Sequence, residues 1–169
     1  MKPVVAAALA LMVAACSGGT AALEPETADG AAASACAVDE TVVFACATGA
    51  GQGVALCGSQ DASRLRYVET GEAAARWPET GMAEAAAFRS GTLMYSGGGG
   101  AYLRFDRDGR EYTVYTGIGR GWEKAGVLVQ EDGRTVRALT CEDEVASLIG
   151  PELFQRASIP ADESGFEIP

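Results

Sequence analysis

"GTLMYSGGGGAYLRFDRDGREYTVYT", residues Gly91 to Thr116, decides how this chain is read. "GTLMY" (Gly91–Tyr95), "AYLRF" (Ala101–Phe105) and "EYTVYT" (Glu111–Thr116) are short runs rich in aromatic and β-branched residues. Such side chains fit the pleated, half-buried surface of a sheet, so the runs read as strands. "DRDGR" between the last two supplies a turn, with Gly109 free to take positive φ. "SGGGGAY" (Ser96–Tyr102) joins the first two. Glycine loses more backbone entropy on ordering than any other residue, so four in a row demand a reason.

The same signals recur outward. "TVVFACAT" (Thr41–Thr48) and "GVALC" (Gly53–Cys57) form a hairpin around a Gly-Ala-Gly turn. "RLRYVE" (Arg64–Glu69) is a further strand, and "AAARW" (Ala73–Trp77) a weaker one stopped by Pro78. "ETGMAEAAA" (Glu79–Ala87) fits a helical turn or a loop. Downstream, "GIGRGWEK" (Gly117–Lys124) reads as a second glycine loop. "AGVLVQ" (Ala125–Gln130), the turn "EDGR" (Glu131–Arg134) and "TVRALTC" (Thr135–Cys141) then form a last hairpin. Short strands at regular spacing predict an all-β fold, an antiparallel sandwich or small barrel of about eight strands. "EDEVASLIG" (Glu142–Gly150) reads as a short C-terminal helix capped by Gly150 and Pro151, and "PELFQRA" as a further turn.

The N-terminus divides the rest. Lys2 precedes an apolar run, Val4–Ala15, too short to span a bilayer as a helix. That is the pattern of an export signal over residues 1–15. Val13-Ala14-Ala15-Cys16 resembles the lipobox of bacterial lipoproteins, which implies lipidation of Cys16. Ser17, by analogy with enterobacterial sorting, points to the outer membrane facing the periplasm. Residues 16–35 are small and acidic, without an aromatic side chain, and read as a flexible tether reaching ~25 Å. Residues 36–150 then form one β domain, and 151–169 a turn and tail.

Composition excludes much. The chain holds no histidine, so neither a Ser-His-Asp nor a Cys-His nucleophile can form. No GxSxG or HExxH motif is present, and the carboxylates are scattered over turns and tails. We therefore expect no catalysis and no cofactor, with a carboxylate-based hydrolase as the weakest option. The net charge is −10, and loss of Lys2 with the signal makes it one unit more negative, leaving Lys124 as the single lysine. Such a surface repels nucleic acid and attracts cationic partners. Beyond Cys16, four cysteines remain in an exported chain: Cys36, Cys46, Cys57 and Cys141. They predict two disulfides in one of three connectivities. Zinc is disfavoured, because no CxxC pair and no histidine is present.

Three readings compete for "SGGGGAY". A phosphate cradle needs a strand running into a helix N-terminus, and here strand runs into strand. A structural reading makes the glycines a wide turn, or a bulge where another backbone comes close. A recognition reading makes them an exposed loop that enters a partner's cleft, with Ser96 as hydrogen-bonding group and Tyr102 as a rigid contact.

On those residues the chain resembles the bacterial lysozyme inhibitors, small exported β domains that plug the lysozyme cleft with a Ser-Gly…Tyr loop. Ser96, Gly97 and Tyr102 occur in that order, followed by Trp122, Lys124 and Ala125-Gly126 where the membrane-bound inhibitors carry a "WxKG" stretch. The resemblance implies a partner-binding role for Ser96, Gly97, Tyr102 and Lys124, with a basic lysozyme as partner. It also implies the pair Cys46–Cys141, leaving Cys36–Cys57; a sheet closed on itself would likewise bring the first and last strands together. Cys46–Cys57, across one hairpin, is the alternative. The chain departs from the pattern by two extra glycines before the tyrosine and by an added hairpin before "WEK". From "ETVVFACATGAGQGVALC" to "VRALTC" it is more similar to uncharacterised exported bacterial domains. The expected function is a lipid-anchored periplasmic binding protein; the alternative is a structural or assembly lipoprotein of the envelope.

Overall fold

The computed structural model describes residues 32, 35–49, 51–72, 74–142 and 144–169. The expected signal, Cys16 and most of the tether lie outside the described residues. Two antiparallel sheets stack as a sandwich, and neither closes into a barrel. The first sheet runs in the order β11-β1-β2-β3-β4, built from β1 (Thr41–Gly49), β2 (Gln52–Gly58), β3 (Arg64–Thr70), β4 (Ala75–Trp77) and β11 (Ala146–Ser147). A two-residue β5 (Ala83–Glu84) also pairs with β3. The second sheet runs β10-β9-β8-β7-β6, a meander of β6 (Arg89–Tyr95), β7 (Gly98–Arg107), β8 (Arg110–Gly119), β9 (Trp122–Glu131) and β10 (Arg134–Thr140). The strand number exceeds the expected eight mainly through β5 and β11, two-residue strands in segments read as a turn or loop and as a helix.

Alternation along each strand sends one face inward. Ala101, Leu103 and Phe105 of β7, Val114 of β8 and Val127 and Val129 of β9 meet Val54, Leu56, Leu65 and Tyr67 of the first sheet. A register shift between Val42 and Phe44 lets both Val43 and Phe44 face this core. Rings fill its centre: Trp77 stacks on Phe105 at 4.6 Å and Phe105 on Tyr112 at 5.2 Å. Phe88, fully buried, carries the chain from one sheet to the other.

The return crossing is at Cys141. Its N–H donates to Ala125 C=O of the second sheet, and the next N–H, of Glu142, donates to Ala47 C=O of the first. The Cys46–Cys141 disulfide staples this crossing, and Cys36–Cys57 closes the other pair. The Cys46–Cys141 bridge joins two stacked sheets, not the ends of one closed sheet.

Two segments expected to be simple are not. Residues 144–149 form no helix. Ala146 and Ser147 pair with Ala45 and Phe44 as β11, and Leu148 N–H donates to Val43 C=O. The open edge of β1 offers these backbone groups partners that a short exposed helix could not match. The helix α1 lies one segment later, at Pro151–Arg156, with Pro151 in its first turn. Beyond it, the expected tail packs as a strap across the outer face of the second sheet. Ser90 N–H donates to Pro160 C=O and Asp162 N–H donates to Ser90 C=O, each at 2.8 Å. At the other end of the fold, Ala32 is already buried against Ala45, Ala55 and Cys57, so packing begins before residue 36. Arg66 holds this N-terminal cover through both Glu40 oxygens, at 2.7 and 2.6 Å, and Ala35 C=O.

Candidate functional site

The two glycine loops contract to tight turns. Tyr95 pairs with Gly98, so Ser96-Gly97 alone connects β6 to β7, with Gly97 at φ +82°. Gly119 pairs with Trp122, so Arg120-Gly121 alone connects β8 to β9, with Gly121 at φ +79°. Both turns leave the same end of the second sheet and are tied together. Arg120 N–H donates to Ser96 C=O at 3.1 Å. Behind them, the Tyr95 and Trp122 rings meet edge to face at 5.0 Å. The Lys124 ammonium lies 5.9 Å over the Trp122 ring and donates to the Pro169 oxygen. Ser96, Gly97, Arg120, Gly121 and Lys124 are exposed, and Trp122 is half-buried.

Gly98, Gly99 and Gly100 are therefore strand residues, not loop. What needs their bare backbone is the molecule itself. A Cβ on Gly98 would lie 2.1 Å from Ile118 C=O, and one on Gly117 would lie 2.4 Å from the Ile168 methyl of the strap. Gly100 faces the same methyl. The glycines of β7 and β8 form a trough in which Ile168 lies, while Ile168 N–H donates to the Tyr95 hydroxyl. Gly98→Ala should then cost about 1–3 kcal/mol by forcing the hairpin backbones apart. Gly121→Ala meets no atom within 4 Å and carries only its positive-φ penalty. Urea titration of the two variants separates steric from conformational cost.

Tyr102 does not join the tip. It sits in mid-strand, 1 % exposed, with its hydroxyl donating to Asp162 at 3.1 Å and its ring 5.1 Å from Phe166. Opposite it, Gly91 lacks the Cβ that would otherwise strike the tyrosine ring. Burial, then the Asp162 carboxylate, push the Tyr102 hydroxyl up to about 12. Of the four residues expected to bind a partner, Ser96, Gly97 and Lys124 share one end, whereas Tyr102 anchors the strap.

Charge around the tip is acidic. An open cavity of about 530 Å³ beside the Cys46–Cys141 crossing is lined by Glu123, Lys124, Glu142 and Glu144. At the opposite end, between the sheets, a cavity of about 600 Å³ is lined by Glu69, Arg107, Arg110, Tyr112 and Arg137. There Glu69, buried, accepts from the Tyr67 hydroxyl at 3.0 Å and from Arg137. Burial first, then the Glu69 charge, hold the Tyr67 hydroxyl well above its ordinary range. Sequence reading missed this cluster because its members stand 68 residues apart along the chain. The one local signal was Glu69, an acid at an inward-facing strand position. Among the described residues, the grouping with metal-ligand spacing is Cys36, Glu40 and Cys57, whose sulfurs are spent in a disulfide.

No protein-family model, curated protein or solved structure matches this chain. The likeness to lysozyme inhibitors thus rests on the short motifs alone.

Proposed function

We propose that this protein is a lipid-anchored, non-catalytic binding protein of the bacterial envelope, held by Cys16 at the outer membrane and facing the periplasm. It presents the Ser96-Gly97 and Arg120-Gly121 tip to a basic protein, of which lysozyme is the most specific version. The observation that supports this is the coupling of the two turns through the Arg120–Ser96 hydrogen bond. A turn held at its base meets a partner without a large ordering cost. The acidic wall of Glu123, Glu142 and Glu144 beside it would steer a cationic partner toward the tip. In the inhibitor version, Ser96 and Lys124 meet the cleft carboxylates and Tyr102 takes no part.

The test titrates C-type, G-type and I-type lysozymes with the chain from Ser17 onward. Ser96→Ala should weaken inhibition by the ~1.5–3 kcal/mol of a hydrogen bond to a charged group. Its melting temperature should not move, because Ser96 is exposed. Lys124→Glu should weaken inhibition further through like-charge repulsion. Tyr102→Phe should lower stability and leave inhibition unchanged. Absence of inhibition at micromolar protein removes the lysozyme version, and inhibition that survives both tip variants removes the tip. For the anchor, Cys16→Ser should release the protein from membrane fractions or leave it uncleaved; unchanged processing and membrane retention would refute it. The second reading, an assembly lipoprotein, is favoured by the open outer edge of β6, where Thr92 and Met94 have no neighbouring strand among the described residues.

A further inference from the structure

Natural sandwiches protect the edges of their sheets, because a row of free backbone groups recruits other strands. Three edges here follow that rule. β4 and β11 are three and two residues long, and β10 carries Arg134, Arg137 and a register shift between Thr135 and Arg137. β6 does not. It is seven residues long, pairs with β7 without any register shift, and bears no charged side chain after Arg89. Arg89 itself is neutralised by Asp106 and Glu111.

Backbone groups alternate in direction along an antiparallel strand. Ser90 spends its outward N–H and C=O on Pro160 and Asp162 of the strap. The next outward positions, Thr92 and Met94, find no partner strand on that side among the described residues. Met94 is 94 % exposed. Directly beside this edge lies an open apolar groove of about 420 Å³, lined by Ser90, Thr92, Pro151, Phe154 and Ile159.

We propose that two copies of this chain pair through their β6 edges, antiparallel about a two-fold axis at Leu93. In this register Thr92 of each copy faces Met94 of the other, so every open outward group on both edges is used. A register centred on Thr92 would need Ser90, which the strap already occupies. Residues facing each other across an antiparallel pair share one face. The face of Thr92 is that of Ser90, and both line the groove. The second copy's Met94 is therefore delivered to the groove mouth, and the flexible thioether suits an irregular apolar site. Knob and hole lie on the same patch, as a two-fold interface requires. The Ser96-Gly97 turn ends the incoming strand where the strap begins. At long range the net charge of −10 opposes the encounter, so association should strengthen with salt. This inference stands apart from the partner of the tip.

Sedimentation equilibrium of the full-length chain in a non-ionic detergent tests it, with salt raised from about 50 mM to about 500 mM. A monomer–dimer equilibrium that shifts toward dimer with salt is expected. Met94→Lys should weaken dimerisation tenfold or more without lowering the melting temperature, Met94→Leu should preserve it, and Val136→Lys on the opposite edge should leave it unchanged. A chain that stays monomeric throughout, a dimer that survives Met94→Lys, or one lost in Val136→Lys would overturn the proposal.

Discussion

Arg104→Ala should destabilise the fold by about 3–5 kcal/mol, the cost of leaving one member of a buried ion pair uncompensated. Arg104 projects from the outer face of β7 and is 4 % exposed. Its guanidinium donates to Asp162 at 2.5 Å, to Ser164 at 2.7 Å, to Thr113 at 3.1 Å and to Gly165 C=O at 3.1 Å. The Asp162 side chain is 2 % exposed, so without Arg104 its charge stays enclosed beneath the strap. Burial raises the Asp162 carboxyl, but the Ser164 hydrogen bonds and the Arg104 charge together hold it below its ordinary 3.8. A depressed carboxyl contributes stability that is present above the ordinary value. That contribution is lost as pH falls through the folded-state value, where protonation breaks the pair. Wild type should therefore lose stability below about pH 4, whereas Arg104→Ala should lose less there, having lost the pair already. Urea titrations at neutral and acid pH check both statements. A loss under about 1 kcal/mol at neutral pH would show that the strap contributes little to the fold.

Removing the Cys46–Cys141 bridge as Cys46→Ala with Cys141→Ala should cost about 4–5 kcal/mol in the chain-entropy account. Its sequence separation is 95 residues, against 21 for Cys36–Cys57, whose removal should cost nearer 3 kcal/mol. The long bridge also holds the crossing where successive backbone N–H groups, of Cys141 and Glu142, bond first to one sheet and then to the other. The short bridge holds only the N-terminal cover over Ala45 and Ala55. Its loss should raise hydrogen exchange around residues 35–40 and leave the second sheet protected. Calorimetry of both double variants ranks them; a larger loss from the short bridge would contradict the loop-entropy argument.

Several features were legible in the chain itself. Strand runs such as Thr41–Thr48 and Ala125–Gln130, and the Asp-Gly turns at Asp108-Gly109 and Asp132-Gly133, identified an antiparallel all-β fold. Gly109 and Gly133 do take φ of +76° and +71°. These signals are local, because alternation and turn chemistry act within a few residues. Two disulfides were legible from an even cysteine count, and their pairing from resemblance. The sandwich, by contrast, was decided by tertiary contact. So was the fate of the glycines. "SGGGGAY" is the same string whether it forms a loop or a trough, and the choice rests on distant partners: the Ile118 carbonyl lies where a Gly98 side chain would have been, and the Ile168 methyl fills the place of one on Gly117 and touches Gly100. Tyr102 faces the strap because Gly91 leaves room for its ring and Asp162, 60 residues away in sequence, accepts a hydrogen bond from its hydroxyl. Residues 144–149 gave up a helix for the open edge of β1, a partner supplied by the start of the domain. Short-range pattern sets which segments extend and turn; which face each presents depends on partners that become neighbours only when the sheets stack.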